Sequence, residues 1–299
     1  MQLSAEVELV RIPPVGAGGD TELCLLDWGG DGPEVLLAHG TGFCAALFEP
    51  IARRLRARFR VRGFDQRGHG RSAGADLANL GWGVFRDDLV ALLGVLRERQ
   101  AADDPTFVIG HSLGGTSALC AAAARPDLFG RLMLLDPVTI ALETIRARER
   151  GGEKSDLSSQ ARKRRATWPS REEAHARWRA RGPLARWDAD VLELYVNEGF
   201  RDRPDGQVEL ACDPAVEARV FEMTDYPDLR AAAARVRTET LWLYASAGNF
   251  DADAVRSTAG ASDAIALEEI DAGHLFPMEQ PAETARRALR FGARQAAPD

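Results

Sequence analysis

The chain has 299 residues, 45% of them hydrophobic and 28% charged, which suits one large α/β domain or a domain carrying a sizeable insertion. A formal net charge of −7 and a pI near 5.4 argue against nucleic acid or an anionic membrane as the principal partner. No run approaches the roughly 18 apolar residues of a spanning helix, Met1 to Val10 lacks a basic region followed by an apolar one, and Cys24, Cys44, Cys120 and Cys212 show no C-x-x-C spacing. The expectation is a cytoplasmic protein, monomer or homodimer, without metal or cofactor, acting on a small molecule.

In chain order, β-like runs are predicted at Val7–Ile12, Glu22–Asp27, Glu34–Ala38, Phe59–Phe64, Thr106–Ile109, Arg131–Leu135, Thr240–Ala245 and Ala264–Ile270. Several are continuous apolar stretches bounded by Gly, Asp or Pro, as in strands buried on both faces of a mainly parallel sheet. Helical patterns cover Ala46–Arg58, Val84–Gln100, Ser112–Ala124 and Ala282–Ala297. The alternation predicts a doubly wound α/β fold with right-handed crossovers. From Val138 to Thr224 the buried-strand signal stops. That stretch is rich in Arg and Glu, contains Trp168, Trp178 and Trp187, and carries a Pro204-Asp205-Gly206 turn before Val208-Glu209-Leu210. It is predicted to be a helical cap (138–224) between core segments 1–137 and 225–299, standing over the carboxyl edge of the sheet where ligands of such sheets bind. The basic run Arg162-Lys163-Arg164-Arg165 reads as a solvated helix face.

Gly110-His111-Ser112-Leu113-Gly114 lies between the apolar run ending at Ile109 and the small-residue stretch from Gly115 to Ala124. Strand, sharp turn, helix is the setting in which G-x-S-x-G exposes a serine for nucleophilic attack. A serine hydroxyl needs an adjacent general base. His274, in Gly273-His274-Leu275-Phe276-Pro277 after the last predicted strand, falls on the same rim and last in the order Ser…Asp…His. His69, His111 and His175 are assigned structural or solvated roles, and His39 belongs to the loop after the third strand. Two N–H donors are required for a developing oxyanion. Leu113, at the start of a helix, supplies one, and the loop in His39-Gly40-Thr41-Gly42-Phe43 the other, through Thr41 first, with Gly42 or Phe43 as alternatives. The acid is Asp136, ending the sixth strand, or Asp251, with Asp253 a more distant candidate. A rigid strand end favours Asp136, because it holds a carboxylate more firmly than an extended loop.

On His39-Gly40, Asp65-x-Arg67-Gly68-x-Gly70-x-Ser72, Gly110-His111-Ser112-Leu113-Gly114 and Gly273-His274, the chain resembles the α/β-hydrolase superfamily, of the capped serine type with its lid after the sixth strand. The resemblance implies a mostly parallel eight-stranded sheet flanked by helices. In most of that superfamily the acid follows the seventh strand, but some members, lactone hydrolases of the zearalenone-degrading kind among them, take it from the sixth. The implied activity is hydrolysis of an ester or lactone bond of a small, largely apolar molecule through an acyl-enzyme. A carbon–carbon bond hydrolase, an acyltransferase on the same residues, or a non-catalytic ligand-binding protein stand as alternatives. Phe43 and Phe276 of the core, with Trp168 and Trp187 of the cap, are the candidate substrate-binding residues.

Overall fold

A computed structural model describes residues 1–14, 20–99, 104–140, 156–223 and 226–293. The predicted helix ends at Gln100 and Ala297 and the cap boundary at Thr224 lie outside the described residues.

The central sheet has eight strands in the order β1-β2-β4-β3-β5-β6-β10-β11: β1 (Glu6–Ile12), β2 (Thr21–Gly29), β3 (Glu34–Ala38), β4 (Arg60–Phe64), β5 (Thr106–His111), β6 (Phe129–Leu135), β10 (Thr240–Ala245) and β11 (Ile265–Ile270). β1 and β2 pair antiparallel, as do β2 and β4, whereas every pairing from β4 onward is parallel. The inner strands β3, β5 and β10 are buried at every position, which is why they read as unbroken apolar runs instead of alternating ones. The sheet is covered by α1 (Glu49–Leu55), α2 (Trp82–Glu98), α3 (Leu113–Ala124) and further helices labelled here α8 (Leu229–Arg235), α9 (Ala252–Ala259), α10 (Phe276–Glu279) and α11 (Pro281–Gly292). Two large apolar clusters fill the space between helices and sheet. One joins Leu26, Leu37, Ile109, Leu243 and Phe291, and the other Leu36, Val108, Leu119, Leu134 and Trp242. Odd and even positions of the same strands point to opposite faces, so each strand contributes to both.

Between β6 and β10 lie α4 (Asp156–Arg162), α5 (Arg171–Ala180), α6 (Ala189–Glu198) and α7 (Pro214–Glu222). The segment expected to be a helical cap is not helical throughout. The same interval contains a small antiparallel sheet, order β7-β9-β8, made of β7 (Thr167–Trp168), β8 (Phe200–Asp202) and β9 (Val208–Leu210). The Pro204-Asp205-Gly206 turn closes its hairpin, with Gly206 at φ 80°. Strands of two or three residues carry too few apolar positions to announce themselves in sequence. Among the described residues, no helix is long and apolar enough to cross a membrane.

Candidate active site

Ser112 sits between β5 and α3 at φ 52°, ψ −117°, a region that costs a non-glycine residue of order 1–3 kcal/mol. The glycines around it are steric necessities. A Cβ on Gly110 would lie 2.5 Å from the Gly114 carbonyl oxygen, and one on Gly114 would lie 2.3 Å from that of Ala38. The Ser112 N–H donates to Leu135 O (3.1 Å) and its carbonyl accepts from Thr116 N (3.0 Å), so the turn is tied to β6 and to α3. Ser112 is 7% exposed.

Asp136 follows β6 directly and is the other non-glycine residue at positive φ among those described, at 44°. Its N–H donates to Leu243 O at 2.8 Å, and its Oδ1 accepts from Ala245 N at 3.0 Å. The carboxylate is thus held by the neighbouring strand β10, with its second oxygen turned to His274. Asp136 Oδ2 stands 2.7 Å from His274 Nδ1, and His274 Nε2 stands 3.1 Å from Ser112 Oγ. An ionised carboxylate only accepts, so Nδ1 carries the proton and Nε2 presents its lone pair to the serine hydroxyl. The structure therefore brings Ser112, His274 and Asp136 into one hydrogen-bonded line.

Asp251 is elsewhere. It is the N-cap of α9, its Oδ1 accepting from Ala254 N at 2.8 Å. Asp253 is exposed and pairs with Arg256 at 3.2 Å. These are helix-terminus roles.

His274 is braced from two sides. Its carbonyl accepts from His111 Nε2 at 3.0 Å, and the edge of Phe250 packs at 5.3 Å between ring centroids. Burial lowers the pKa of His111 to about 3, so it stays neutral beneath the turn. His39 is also buried and neutral, lowered to about 4; its Nδ1–H donates to Gly40 O at 2.8 Å and its Nε2 accepts from Gln66 N at 2.9 Å. His69, lowered by burial to about 3, donates through Nδ1 to Arg67 O at 3.0 Å. The loop after β4 is a scaffold as well. Asp65 accepts from Ala45 N (2.7 Å) and Arg71 N (2.8 Å), and Arg67 grips Asp88 through two bonds of 2.9 and 2.6 Å. His175 lies part-exposed on α5.

Leu113 is fully buried as the first residue of α3. Its N–H has no acceptor within the helix and lies at the positive end of its dipole. The Gly40-Thr41-Gly42 loop runs beside it: a Cβ on Gly40 would lie 3.1 Å from Ser112 Cβ, and Gly42 has φ 80°. Phe43, part-exposed, packs edge-on against Trp187 (5.3 Å) and Tyr195 (5.8 Å) of the segment between β6 and β10; Trp187 is itself 2% exposed, so that candidate is used in packing.

Two candidates fall in other places. Trp168 belongs to the cap's own apolar cluster with Phe200, Val208 and Leu210; its ring is 5.6 Å from Trp178 and its indole N–H bonds Arg165 O at 3.0 Å. A small layered insertion needs a core, and Trp168 supplies it. Phe276 is fully buried in one of the two clusters flanking the sheet and offers no surface to a ligand. A separate cavity of about 330 Å³, lined by Trp82, Ser117, Cys120 and Arg235, includes none of Ser112, His274 or Asp136.

Three residues beside Gly42 were not picked out in sequence. Arg164, in the run expected to be solvated, turns inward and bonds Glu217 of α7 and, at 2.9 Å, the hydroxyl of Tyr195 of α6. That hydroxyl in turn donates to Gly42 O at 3.0 Å. Arg162 and Arg165 behave as predicted, exposed and paired with Glu222 and Glu173.

Residues 35–287 match the model of the alpha/beta hydrolase family, and the chain belongs to that family of hydrolases. Lipase LipV of Mycobacterium tuberculosis is 30% identical over 273 residues, covering 86% of this chain and 93% of that protein. The 2-(acetamidomethylene)succinate hydrolase of Mesorhizobium japonicum is 36% identical over 129 residues, a match to 41% of this chain and only 44% of that protein. Among solved structures, E-2-(acetamidomethylene)succinate hydrolase superposes with a TM-score of 0.79 at 23% identity, covering 97% of this chain and all of that one. The enol-lactonase from Burkholderia xenovorans LB400 gives 0.67 at 23% identity, over 94% of this chain and 100% of that one.

Proposed function

We propose that this hydrolase cleaves an ester or lactone bond of a small, largely apolar molecule through a covalent intermediate on Ser112. The observation that carries the reading is the line Asp136–His274–Ser112, with bonds of 2.7 and 3.1 Å, built on two strained residues at adjacent strand ends. Ser112 Oγ attacks the carbonyl carbon as its proton passes to His274 Nε2. Asp136, bonded to Nδ1–H, stabilises the imidazolium without taking the proton itself. The carbonyl oxygen gains charge and is met by the N–H of Leu113 and that of Thr41, each donor of this kind being worth about 2.7–4 kcal/mol. His274 then gives its proton to the departing alkoxide, and an acyl group remains on Oγ. Water, deprotonated by the same imidazole, releases the acid and restores the serine.

The apolar character of the substrate rests on Phe43, part-exposed in the Gly40–Phe43 loop beside Ser112. LipV, by its name a lipase, accords with ester cleavage, and the enol-lactonase accords with cleavage of a cyclic ester.

A panel of p-nitrophenyl esters of increasing chain length and simple lactones, run with wild type and Ser112→Ala, tests this. Hydrolysis that peaks at a short to medium acyl chain and falls at least about a thousandfold in the variant is expected. Equal rates for the two proteins across the panel would overturn the reading.

A further inference from the structure

The loop proposed to hold the oxyanion carries a glycine on each side of its donor. Thr41 lies between Gly40 and Gly42, and glycine leaves its own dihedrals free. Donors for an oxyanion must be fixed before charge develops, since electrostatic stabilisation depends on dipoles already oriented. Some other part of the molecule has to hold this loop still.

The cap contains such a part. Tyr195, on α6, donates its hydroxyl to Gly42 O at 3.0 Å. The Tyr195 hydroxyl oxygen itself accepts from Arg164 Nη2 at 2.9 Å, and Arg164 Nη1 bonds Glu217 on α7. Burial pushes the Tyr195 hydroxyl up to about 12, so it keeps the proton it donates. The ring is fully enclosed, stacked on Trp178 at 5.1 Å and packed against Trp187 at 5.5 Å. The ion pair also lies flush with the loop. A Cβ on Gly42 would meet Glu217 Oε1 at 2.9 Å and Arg164 Nη1 at 3.2 Å, and the φ of 80° there favours glycine. Because a trans peptide is planar, fixing the Gly42 carbonyl also fixes the N–H of Phe43 in the opposite direction and anchors one end of the short loop that carries Thr41.

We infer that Tyr195, held by the Arg164–Glu217 pair, is a positioning residue: the cap pins the oxyanion loop through Gly42 O, and the hole is complete only with the cap seated. This rests on the serine-hydrolase reading above. It makes the cap part of the chemical step as well as a wall of the pocket.

Tyr195→Phe removes the hydroxyl and keeps the ring. Three quantities are measured beside wild type and Ser112→Ala: kcat and KM for p-nitrophenyl butyrate, inhibition by phenylboronic acid (whose tetrahedral adduct on serine places an oxygen in the hole), and the melting temperature. The expected result is a kcat lower by about ten- to a hundredfold, a KM within about threefold, and boronate inhibition weakened in step with kcat, somewhat less than the loss on deleting a donor outright. The melting temperature stays within a few degrees. Unchanged kcat and boronate inhibition would overturn the inference and leave the serine-hydrolase reading intact. So would a loss of activity carried by KM together with a marked fall in melting temperature, since that describes damage to the cap alone. Wild type showing no Ser112-dependent hydrolysis would remove both. Arg164→Met with Glu217→Gln, which takes away the support behind Tyr195 without stranding a charge, is expected to reproduce the split at smaller amplitude; wild-type values in that double variant would show that the pair contributes nothing.

Discussion

At the scale of single residues, the backbone strain coincides with the proposed chemistry. Ser112 and Asp136 are the two non-glycine residues at positive φ among those described, and they flank the same histidine. Ser112 was legible because its flanking glycines are required by contacts as short as 2.3 Å, and a steric requirement of that kind leaves a fixed spacing. The choice between Asp136 and Asp251 could not be settled by spacing, because both follow strands on the same rim. The two differ in position: each accepts a backbone N–H on Oδ1, from Ala254 for Asp251 and from Ala245 for Asp136, but it is Asp136 whose Oδ2 stands 2.7 Å from His274 Nδ1. Asp136→Asn presents an amide whose N–H, turned to Nδ1, would favour the tautomer with the proton on Nε2, where it cannot accept from serine. Its kcat on a p-nitrophenyl ester is expected to fall by about 10³–10⁴, and Asp251→Asn, which preserves a good cap, to stay close to wild type. The reverse order of activities would reject the assignment.

At the scale of elements, legibility followed burial. The inner strands β3, β5 and β10 are enclosed on both faces, so their sequences are apolar throughout and their limits were predicted to within two residues. The segment between β6 and β10 was legible as an interruption only. Its strands are two or three residues long, and α5 is polar over most of its surface, with Ala174 its one buried residue. Cap tryptophans had two possible uses, internal packing or substrate contact, and a sequence does not rank them. The structure gives both to packing, Trp168 in the insertion's own cluster and Trp187, 2% exposed, against Phe43. Arg164 shows the same limit. In a run of four basic residues that starts at the last residue of α4, no helical period marks the one that turns inward, and its partners Tyr195 and Glu217 lie on two other helices.

At the scale of the whole molecule, three buried histidines tie stability to pH. Burial lowers His39 to about 4, and His69 and His111 to about 3, from an ordinary value of 6.5. Between those values the unfolded chain binds protons that the folded chain refuses, so stability is full above about pH 6.5 and is lost as pH falls toward 4. Asp65 and Asp88, raised by burial, act in the opposite sense at the acid end. From pH 6.5 to 5 each histidine costs up to about 2 kcal/mol. The melting temperature is therefore expected to drop clearly from pH 7 to pH 5, and His69→Gln, a position remote from the proposed proton transfers, to flatten that slope. A melting temperature constant across the interval would contradict the account.

The central claim is that Ser112 carries the acyl group, and the mass of the intact protein measures this most directly. Mixing with a slowly deacylating p-nitrophenyl ester and quenching in acid is expected to add one acyl group, located by fragmentation to Ser112, in wild type and none in Ser112→Ala. An adduct on another residue, or equal labelling of the two proteins, would contradict it.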